Sequence, residues 1–253
     1  MKKLFILCLM ATFCGAIIAQ RTIKVQVAAA ANLRDVLSEI EKRYEKTNPK
    51  IDLEITYGSS GNLTTQIING AAFRFFLAAN KDYPLKLQKL GFTESDVTTY
   101  VYGKLAMWST SVRVDKLGLK AVTDISVKRI SIANPKTAPY GDRSIEALKK
   151  AGLLSNVSDK IVYADNIAGA AHYAFTGNTE IGFIAYSQYR APNMLGKGYI
   201  YLLPAEKYTP IEQACTLIKQ SGSNVDAKNF MKYILGNKCN DLWKKYGYSK
   251  KTK

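Results

Sequence analysis

The sequence has few of the residues from which catalytic and metal sites are usually built. It contains one histidine, His172, and its carboxylates are dispersed along the chain. No cluster of His, Cys, Asp and Glu has metal-ligand spacing, and both the Gly-x-Ser-x-Gly elbow of hydrolases and a Gly-rich loop ending in Gly-Lys-Ser/Thr are missing. The sequence therefore argues against hydrolase chemistry, a side-chain metal centre and a P-loop, and we expect no cofactor. We interpret His172 as a surface or helix-packing residue.

Long apolar runs are also scarce, and the one candidate lies at the N-terminus. Two lysines at positions 2 and 3 precede an apolar stretch over residues 4–18, and Ala19-Gln20 follows, which is the layout of a secretory signal peptide. We predict cleavage after Ala19 and a mature chain outside the cytoplasm. An uncleaved anchor stays an alternative, whereas lipidation at Cys14 is disfavoured because Phe13 is too large for the preceding position.

Negative charge is in short supply. The chain has 36 Lys and Arg against 20 Asp and Glu, a formal charge of +16, and loss of the signal lysines lowers it by two. Such a surplus fits a nucleic acid, a solvated surface or long-range attraction of a small anion. Scattered lysines and export both argue against a nucleic-acid partner, and the other two interpretations stay open.

Cysteine is limited to two residues in the predicted mature chain, Cys215 and Cys239. An even pair in an oxidising compartment favours one disulfide bond. Two buried thiols are the alternative, because the sequence does not place the two Cα atoms within bonding distance.

What the chain does have is a regular alternation of short apolar strands and amphipathic helices. Residues 23–27 and 51–55 alternate like strands, and a helix over residues 32–44 buries one face. This pattern predicts doubly wound, parallel sheets in two α/β lobes joined by strand crossovers, with a ligand cleft between them. We assign residues 1–19 to the signal peptide, 20–103 and 203–253 to the first lobe, and 104–202 to the second.

Four predicted strand-to-helix junctions carry small or neutral polar residues. They are Ala31-Asn32, Ser59-Ser60, Pro139-Tyr140-Gly141 and Asn166-Ile167-Ala168. Helix N-termini present unpaired N–H groups and a partial positive charge, and they bind anions without a cationic side chain. The alternative is that the polar residues only cap their own helices. In a doubly wound sheet such junctions gather at the carboxyl edge, where ligands bind, so four together favour an anion site.

Motifs in the same order along the chain resemble the molybdate-binding family of type II periplasmic receptors. They are Val27-Ala28-Ala29-Ala30-Ala31-Asn32-Leu33, Tyr57-Gly58-Ser59-Ser60-Gly61-Asn62-Leu63, Phe76-Leu77-Ala78-Ala79-Asn80, Asn134-Pro135, Ala138-Pro139-Tyr140-Gly141, Asn166-Ile167, Glu180-Ile181-Gly182-Phe183-Ile184-Ala185, Ser187-Gln188 and Lys245-Tyr246-Gly247-Tyr248. Each motif alone is weak, but together they span nearly the whole mature chain.

The resemblance implies a non-catalytic cleft that binds molybdate or tungstate. Asn32 and Ser60 would donate from side chain and backbone, with the Ala31 amide nearby, and Tyr140 and Ile167 would donate backbone amides from the other lobe. These groups would contact the metal through the oxygens of the oxyanion and not ligate it directly. The resemblance further implies a periplasmic monomer that delivers its ligand to the membrane permease of an ABC transporter and has no nucleic-acid partner.

The sequence departs from the family pattern at several positions. Ala185 stands where many members carry a ligand-binding tyrosine, and we leave the next residue, Tyr186, out of the site. Arg74 replaces a common acidic residue, and Ala72 and Asn80 also differ. These departures concern the ligand preference, because receptors for sulfate and phosphate share the architecture. A secreted anion-binding enzyme is the more distant alternative.

A pocket with donors only should prefer a fully ionised anion. Phosphate near neutral pH usually keeps a proton that needs an acceptor, and none of the four junctions carries a carboxylate. Asp165 is adjacent to one junction and is the residue most able to alter this preference. We therefore expect molybdate and tungstate to bind best, followed by sulfate and then phosphate.

Overall fold

The fold is taken from a computed structural model that describes residues 22–250. The predicted signal peptide and its cleavage site lie outside the described residues. Within residues 22–250, no helix has the length and apolar character needed to cross a membrane. The strands of this range are β1 Ile23–Ala30, β2 Ile51–Gly58, β3 Phe75–Leu77, β4 Thr98–Gly103, β5 Leu105–Ser109, β6 Ile130–Ala133, β7 Ile161–Ala164, β8 Ile181–Ala185, β9 Tyr199–Leu202 and β10 Ile211–Leu217.

Helices connect most of these strands. They are α1 Arg34–Thr47, α2 Ser60–Ile68, α3 Asp82–Lys89, α4 Val114–Leu117, α5 Pro139–Lys150, α6 Leu154–Val157, α7 Ile167–Phe175, α8 Tyr186–Tyr189, α9 Val225–Leu235 and α10 Asn240–Lys245. Shorter 3-10 helices cover Ala31–Leu33, Gly118–Thr123, Ser158–Lys160, Ala205–Lys207 and Asn237–Cys239. The helical face predicted in residues 32–44 is buried at Val36, Leu37, Ile40 and Tyr44.

The strands form two five-stranded sheets, one in each α/β lobe. The first has the order β2-β1-β3-β10-β4, and the second has the order β7-β6-β8-β5-β9. The first sheet takes its strands from residues 23–103 and 211–217, and the second takes its strands from residues 105–202. The chain therefore crosses between the sheets twice, from β4 to β5 and from β9 to β10.

The prediction of purely parallel sheets is wrong at these crossings. Strand β1 runs parallel to β2 and β3, and β6 runs parallel to β7 and β8. Strand β10 runs antiparallel to β3 and β4, and β5 runs antiparallel to β8 and β9. Parallel neighbours need a helical crossover, whereas β5 and β10 each enter their sheet directly from the other lobe and so are free to run the opposite way.

The expected disulfide bond is absent from the described residues, because Cys215 and Cys239 are both free. Cys215 lies in the middle of the first sheet, and Cys239 ends a 3-10 helix where its thiol lies 3.5 Å from the carbonyl oxygen of Tyr233. Burial raises the pKa of both thiols, and that of Cys239 reaches about 11. The alternative of two buried thiols is therefore the correct one.

Candidate functional site

A small cavity lies where the carboxyl ends of the parallel strands in the two lobes face each other. Ala30 at the end of β1 is level with Gly58 at the end of β2, and Ala133 of β6 is level with Ala164 of β7. The cavity, together with the open space at its mouth, has an empty volume of about 190 Å³. Its lining residues are Ala30, Ala31, Asn32, Gly58, Ser59, Ser60, Ala79, Pro139, Tyr140, Asn166 and Ile167.

All five predicted site residues line this cavity. Their exposed fractions are 5% for Ala31, 1% for Asn32, 1% for Ser60, 1% for Tyr140 and 4% for Ile167. They come from the starts of α2, α5 and α7 and from the 3-10 helix Ala31–Leu33 that precedes α1, so each lobe contributes two segments. The first N–H groups of a helix have no acceptor within that helix, so N–H donors from four segments surround one small space, except those of Gly61, Ala168 and Gly169, which are paired.

Two serine hydroxyls of the first lobe face no acceptor in the described part of the chain. Ser60 Oγ accepts a hydrogen bond from the Ala79 N–H at 2.9 Å, which leaves its own proton available to donate. Ser59 precedes α2 but does not cap it, and its buried Oγ has no hydrogen-bond partner among the described residues. The capping alternative is therefore wrong for Ser60, and Ser59 is a lining residue that our sequence analysis did not select.

The second lobe contributes the N-terminus of α5. Pro139 occupies the first helical position, where its missing N–H leaves no donor unpaired, and the Tyr140 N–H follows. A Cβ atom on Gly141 would lie 1.9 Å from the carbonyl oxygen of Ala133. Only glycine permits this approach between α5 and the end of β6, and the approach positions the Tyr140 amide at the cavity.

The N-terminus of α7 is capped, and the cap leaves one donor free. Asn166 Oδ1 accepts from the N–H groups of Ala168 at 3.0 Å and Gly169 at 3.1 Å. The capping alternative is therefore correct for Asn166. The Ile167 N–H precedes these two and has no acceptor in its own helix, so it remains available to a ligand.

Asn32 differs from the prediction in which of its atoms is free. Its Nδ2 donates to Gln213 Oε1 at 3.0 Å and to the Tyr248 hydroxyl at 2.9 Å. Its Oδ1 is buried without a hydrogen-bond partner among residues 22–250. In this orientation the side chain leaves an acceptor free, where the sequence analysis expected a donor.

A network of buried polar side chains packs against the residues that line the cavity. Gln213 Nε2 donates to the Tyr140 hydroxyl at 3.1 Å, and the Tyr100 hydroxyl lies 3.0 Å from the Ala78 carbonyl oxygen and 3.1 Å from Gln213 Oε1. Burial raises the pKa of Tyr100, Tyr140 and Tyr248, so the three phenols stay protonated near neutral pH. The network joins both lobes, since Tyr140 belongs to the second and Gln213 to the first.

Sequence reasoning missed the functional position of Gln213, because a polar residue in an alternating strand gives no sign that it faces a buried network. Tyr248 appeared only as part of a closing motif. Its hydroxyl donates to the Asn32 carbonyl oxygen at 2.8 Å and lies 3.0 Å from Ser187 Oγ. Both residues lie far in sequence from the start of any helix. Their proximity to the cavity therefore becomes visible only once the order of the strands is known.

Asp165, Tyr186 and Arg74, which bear on the expected ligand preference, do not line the cavity. Asp165 is exposed, Tyr186 stacks on Tyr189, and Arg74 donates to backbone carbonyls of Ser221 and Ser223. None of the lining residues is charged. The described range also contains no group of three or more His, Cys, Asp or Glu that could hold a metal ion. The arrangement is therefore suited to binding an ionised anion through neutral donors.

A larger groove, of about 1150 Å³ and open to solvent, lies on the first lobe and includes Tyr44, Lys232 and Lys238 in its lining. It lacks the convergent helix N-termini of the small cavity. Because directed donors decide anion binding more than volume does, we take the small cavity as the candidate site.

The chain is similar to known solute-binding proteins over most of its length. The sequence model of one family, described as bacterial extracellular solute-binding protein, matches residues 25–249, a range that contains every lining residue. The chain is 37% identical over 233 residues to the molybdate-binding protein ModA of Azotobacter vinelandii, covering 91% of each chain. It is 36% identical to ModA of Rhodobacter capsulatus, covering 89% of this chain and 88% of the relative. The solved structure of the periplasmic molybdate-binding protein of Azotobacter vinelandii superposes with a TM-score of 0.85 at 30% identity, over 90% of this chain and 100% of that one.

Proposed function

Since the chain belongs to the family of bacterial extracellular solute-binding proteins, we propose that it binds molybdate or tungstate in the periplasm. It then delivers the ion to the membrane permease of an ABC importer. The relatives that are called molybdate-binding proteins support this ligand. They are binding proteins and not enzymes, which agrees with a cavity that contains no acid, base or nucleophile pair.

One observation carries the proposal. Four helix N-termini from two lobes meet at a buried cavity whose lining contains no charged side chain. A tetrahedral oxyanion offers acceptors in four directions, and each helix start supplies N–H groups and partial positive charge from its own direction. In the proposed site Ala31, Asn32, Ser60, Tyr140 and Ile167 contact the oxygens of the ion and do not ligate the metal directly.

The neutral lining also supports the choice among oxyanions. Molybdate, tungstate and sulfate are fully ionised near neutral pH, so every oxygen accepts and every donor is satisfied. Hydrogen phosphate brings a proton, and where Asn32 turns its NH₂ group to the ion that buried proton has no acceptor, at a cost of about 1–3 kcal/mol. Sulfate is smaller than molybdate, so the same donors would reach it over longer and weaker hydrogen bonds.

The lobe arrangement supports capture by closure. We propose that residues 20–103 and 203–253 form one lobe and residues 104–202 the other, and that the crossings near Lys104 and Pro204 act as hinges. The donors come from both lobes, so the ion is enclosed only when the lobes approach each other. We propose that the protein works as a monomer, with no cofactor and no nucleic-acid partner.

Thermal unfolding with added anions tests this function. Protein freed of bound anion should gain about 2.7 kcal/mol of unfolding free energy at 100 times the molybdate dissociation constant. Tungstate should act similarly, sulfate far less and phosphate least. No shift with millimolar molybdate or tungstate contradicts the proposal, and a larger shift with sulfate or phosphate assigns the cavity to that anion instead.

A further inference from the structure

The side-chain amides of Asn32 and Gln213 form a buried pair. The direction in which each amide places its oxygen and its NH₂ group decides whether the cavity offers an anion a donor or an acceptor. Both residues are buried, with exposed fractions of 1% and 0%. An amide rotated by 180° exchanges its oxygen with its NH₂ group, and the two are of similar size, so either orientation fits the same space. The two side chains must rotate together, because they share one hydrogen bond, and turning one amide alone would place two donors or two acceptors against each other.

In the first orientation Asn32 Nδ2 donates to Gln213 Oε1, and Asn32 Oδ1 remains without a partner. This orientation suits Tyr248, whose hydroxyl accepts from Asn32 Nδ2 and donates to the Asn32 carbonyl. The same orientation leaves other hydrogen-bonding groups of the network unsatisfied. Tyr100 has one proton for two acceptors, the Ala78 carbonyl and Gln213 Oε1, and the Tyr140 hydroxyl accepts from Gln213 while its own proton is given no acceptor.

The inverse orientation satisfies those groups. Tyr100 donates to the Ala78 carbonyl, which can only accept, and receives a hydrogen bond from Gln213 Nε2 over the same 3.1 Å. The second Nε2 proton goes to Asn32 Oδ1, and Tyr140 donates its proton to Gln213 Oε1. The inverse orientation is less favourable for Tyr248. Its single hydroxyl proton can then donate to only one of two Asn32 oxygens, Oδ1 or the backbone carbonyl oxygen.

An anion in the cavity decides between the two orientations. In the first, the unpaired oxygen of Asn32 would face the oxygens of the ion, and two acceptors repel each other. In the inverse one, Asn32 Nδ2 takes that place and donates to the ion through a charge-assisted hydrogen bond, which is stronger than a neutral one. A protonated anion would gain from the first orientation and a fully ionised one from the inverse.

We infer that a bound oxyanion is held with the Asn32–Gln213 pair in the inverse orientation, and that Gln213 is a positioning residue that turns Asn32 Nδ2 toward the ion. Tyr100 donates its proton to the Ala78 carbonyl and can then only accept from Gln213, so it orients the Gln213 amide with Nε2 toward the Tyr100 hydroxyl. This inference rests on the proposed function and deepens it. With the pair held in the inverse orientation, Asn32 presents a donor and no acceptor, so it favours ionised over protonated anions.

A double-mutant cycle measured by calorimetry with molybdate tests the inference. Gln213→Leu keeps the approximate size of the side chain and removes both polar atoms, and it should weaken molybdate binding about tenfold. Asn32→Ala should weaken binding about 10- to 100-fold, the range expected for a hydrogen bond to a charged group. In the Asn32→Ala background, Gln213→Leu should cost much less, because its main effect is through Asn32 and only its contacts with the Tyr140 and Tyr100 hydroxyls remain.

The controls separate positioning from folding. Gln220→Leu is the control, since the Gln220 amide also makes two hydrogen bonds, to the Ala71 and Phe73 carbonyls, but lies outside the cavity lining. It should leave the affinity unchanged, and the melting temperatures of the ligand-free variants show which ones fold normally. An equal loss from Gln213→Leu in both backgrounds, or no loss in either, overturns the inference. Failure of the unaltered protein to bind molybdate overturns the proposed function instead.

A spectroscopic readout addresses the orientation directly. In protein labelled with nitrogen-15, the side-chain NH₂ resonances of Asn32 are identified by their loss in Asn32→Ala. Molybdate should shift these resonances and slow their hydrogen exchange, and the Gln220 resonances should not move. An Asn32 NH₂ that is unchanged by saturating molybdate means that the first orientation persists, and it overturns the inference even where affinities change.

Discussion

The backbone N–H of Gly61 in α2 donates a hydrogen bond to the carbonyl oxygen of Thr137 across 2.8 Å. Beside it, the Tyr83 hydroxyl donates to the Lys136 carbonyl at 3.2 Å. Gly61 and Tyr83 belong to the first lobe and the other two residues to the second, so these bonds hold the lobes together next to the cavity. A Cβ atom on Gly61 would lie 2.9 Å from Thr137 Cα and 2.8 Å from the Tyr83 hydroxyl oxygen.

Gly61→Ala should therefore hinder closure without harming the open protein. We expect molybdate affinity to fall at least about tenfold, while the ligand-free melting temperature stays level or rises, because alanine stabilises a helix by up to about 1 kcal/mol relative to glycine. Calorimetry and small-angle scattering measure the two effects. Asn62→Ala, an exposed neighbour in the same helix, is the control. Unchanged affinity and an unchanged decrease in radius on binding would refute this account of closure.

Ser60→Ala should remove one donor from the site. The Ser60 hydroxyl proton is free because its oxygen already accepts from Ala79. We expect molybdate binding to weaken by about 1.5–3 kcal/mol, the range for a hydrogen bond to a charged group. Calorimetry checks the value, and Ser95→Ala serves as a control that removes a partly buried hydroxyl elsewhere in the first lobe. Wild-type affinity in Ser60→Ala would remove this hydroxyl from the site.

Glu146 should make stability depend on pH at the crossing from β9 to β10. Burial alone would raise the pKa of Glu146, but hydrogen bonds from Lys150, Thr209 and Arg143 together lower it to about 2. A carboxyl group with a lowered folded-state pKa stabilises the protein above its unfolded value of about 4.5, and this contribution is lost as the pH falls toward 2.

Glu146→Gln should therefore lower the melting temperature at pH 7, and the difference from the unaltered protein should shrink as the pH falls from 4.5 to 2. Thermal unfolding across this range measures the effect. Glu206→Gln, an exposed substitution in the same connection, should produce little change at any pH. A difference that stays constant down to pH 2 would mean that Glu146 contributes through packing and not through its charge.

The two thiols should be unreactive in the native protein. Cys215 and Cys239 are buried and free, and burial raises the pKa of both, so little thiolate is present at pH 8. We expect no alkylation of the native mature chain by iodoacetamide, and alkylation of both residues in denaturant without reductant. Mass spectrometry counts the adducts, and an unlabelled denatured chain would reveal a disulfide bond.

The sequence predicted for a physical reason that the junction residues would lie together. Apolar periodicity marked the strands and helices, and the position of Ser60 or Ile167 at a helix start follows from local sequence alone. It did not predict the direction of β5 and β10, because strand direction depends on how the chain crosses between the lobes. It also could not assign Gln213, since that role depends on contacts with Asn32 and Tyr140, which are 181 and 73 residues away.

The central place of β10 has a consequence for the order in which the chain folds. Strand β10 lies between β3 and β4, although it is the last strand in the chain. Until residues 211–217 have been synthesised, β3 and β4 lack their shared partner and expose unpaired edges, whereas the second sheet is complete by residue 202. We therefore expect the first sheet to assemble last. Before that point β1, β2 and β3 can pair only with one another, so the first lobe acquires its native sheet only when synthesis is nearly complete.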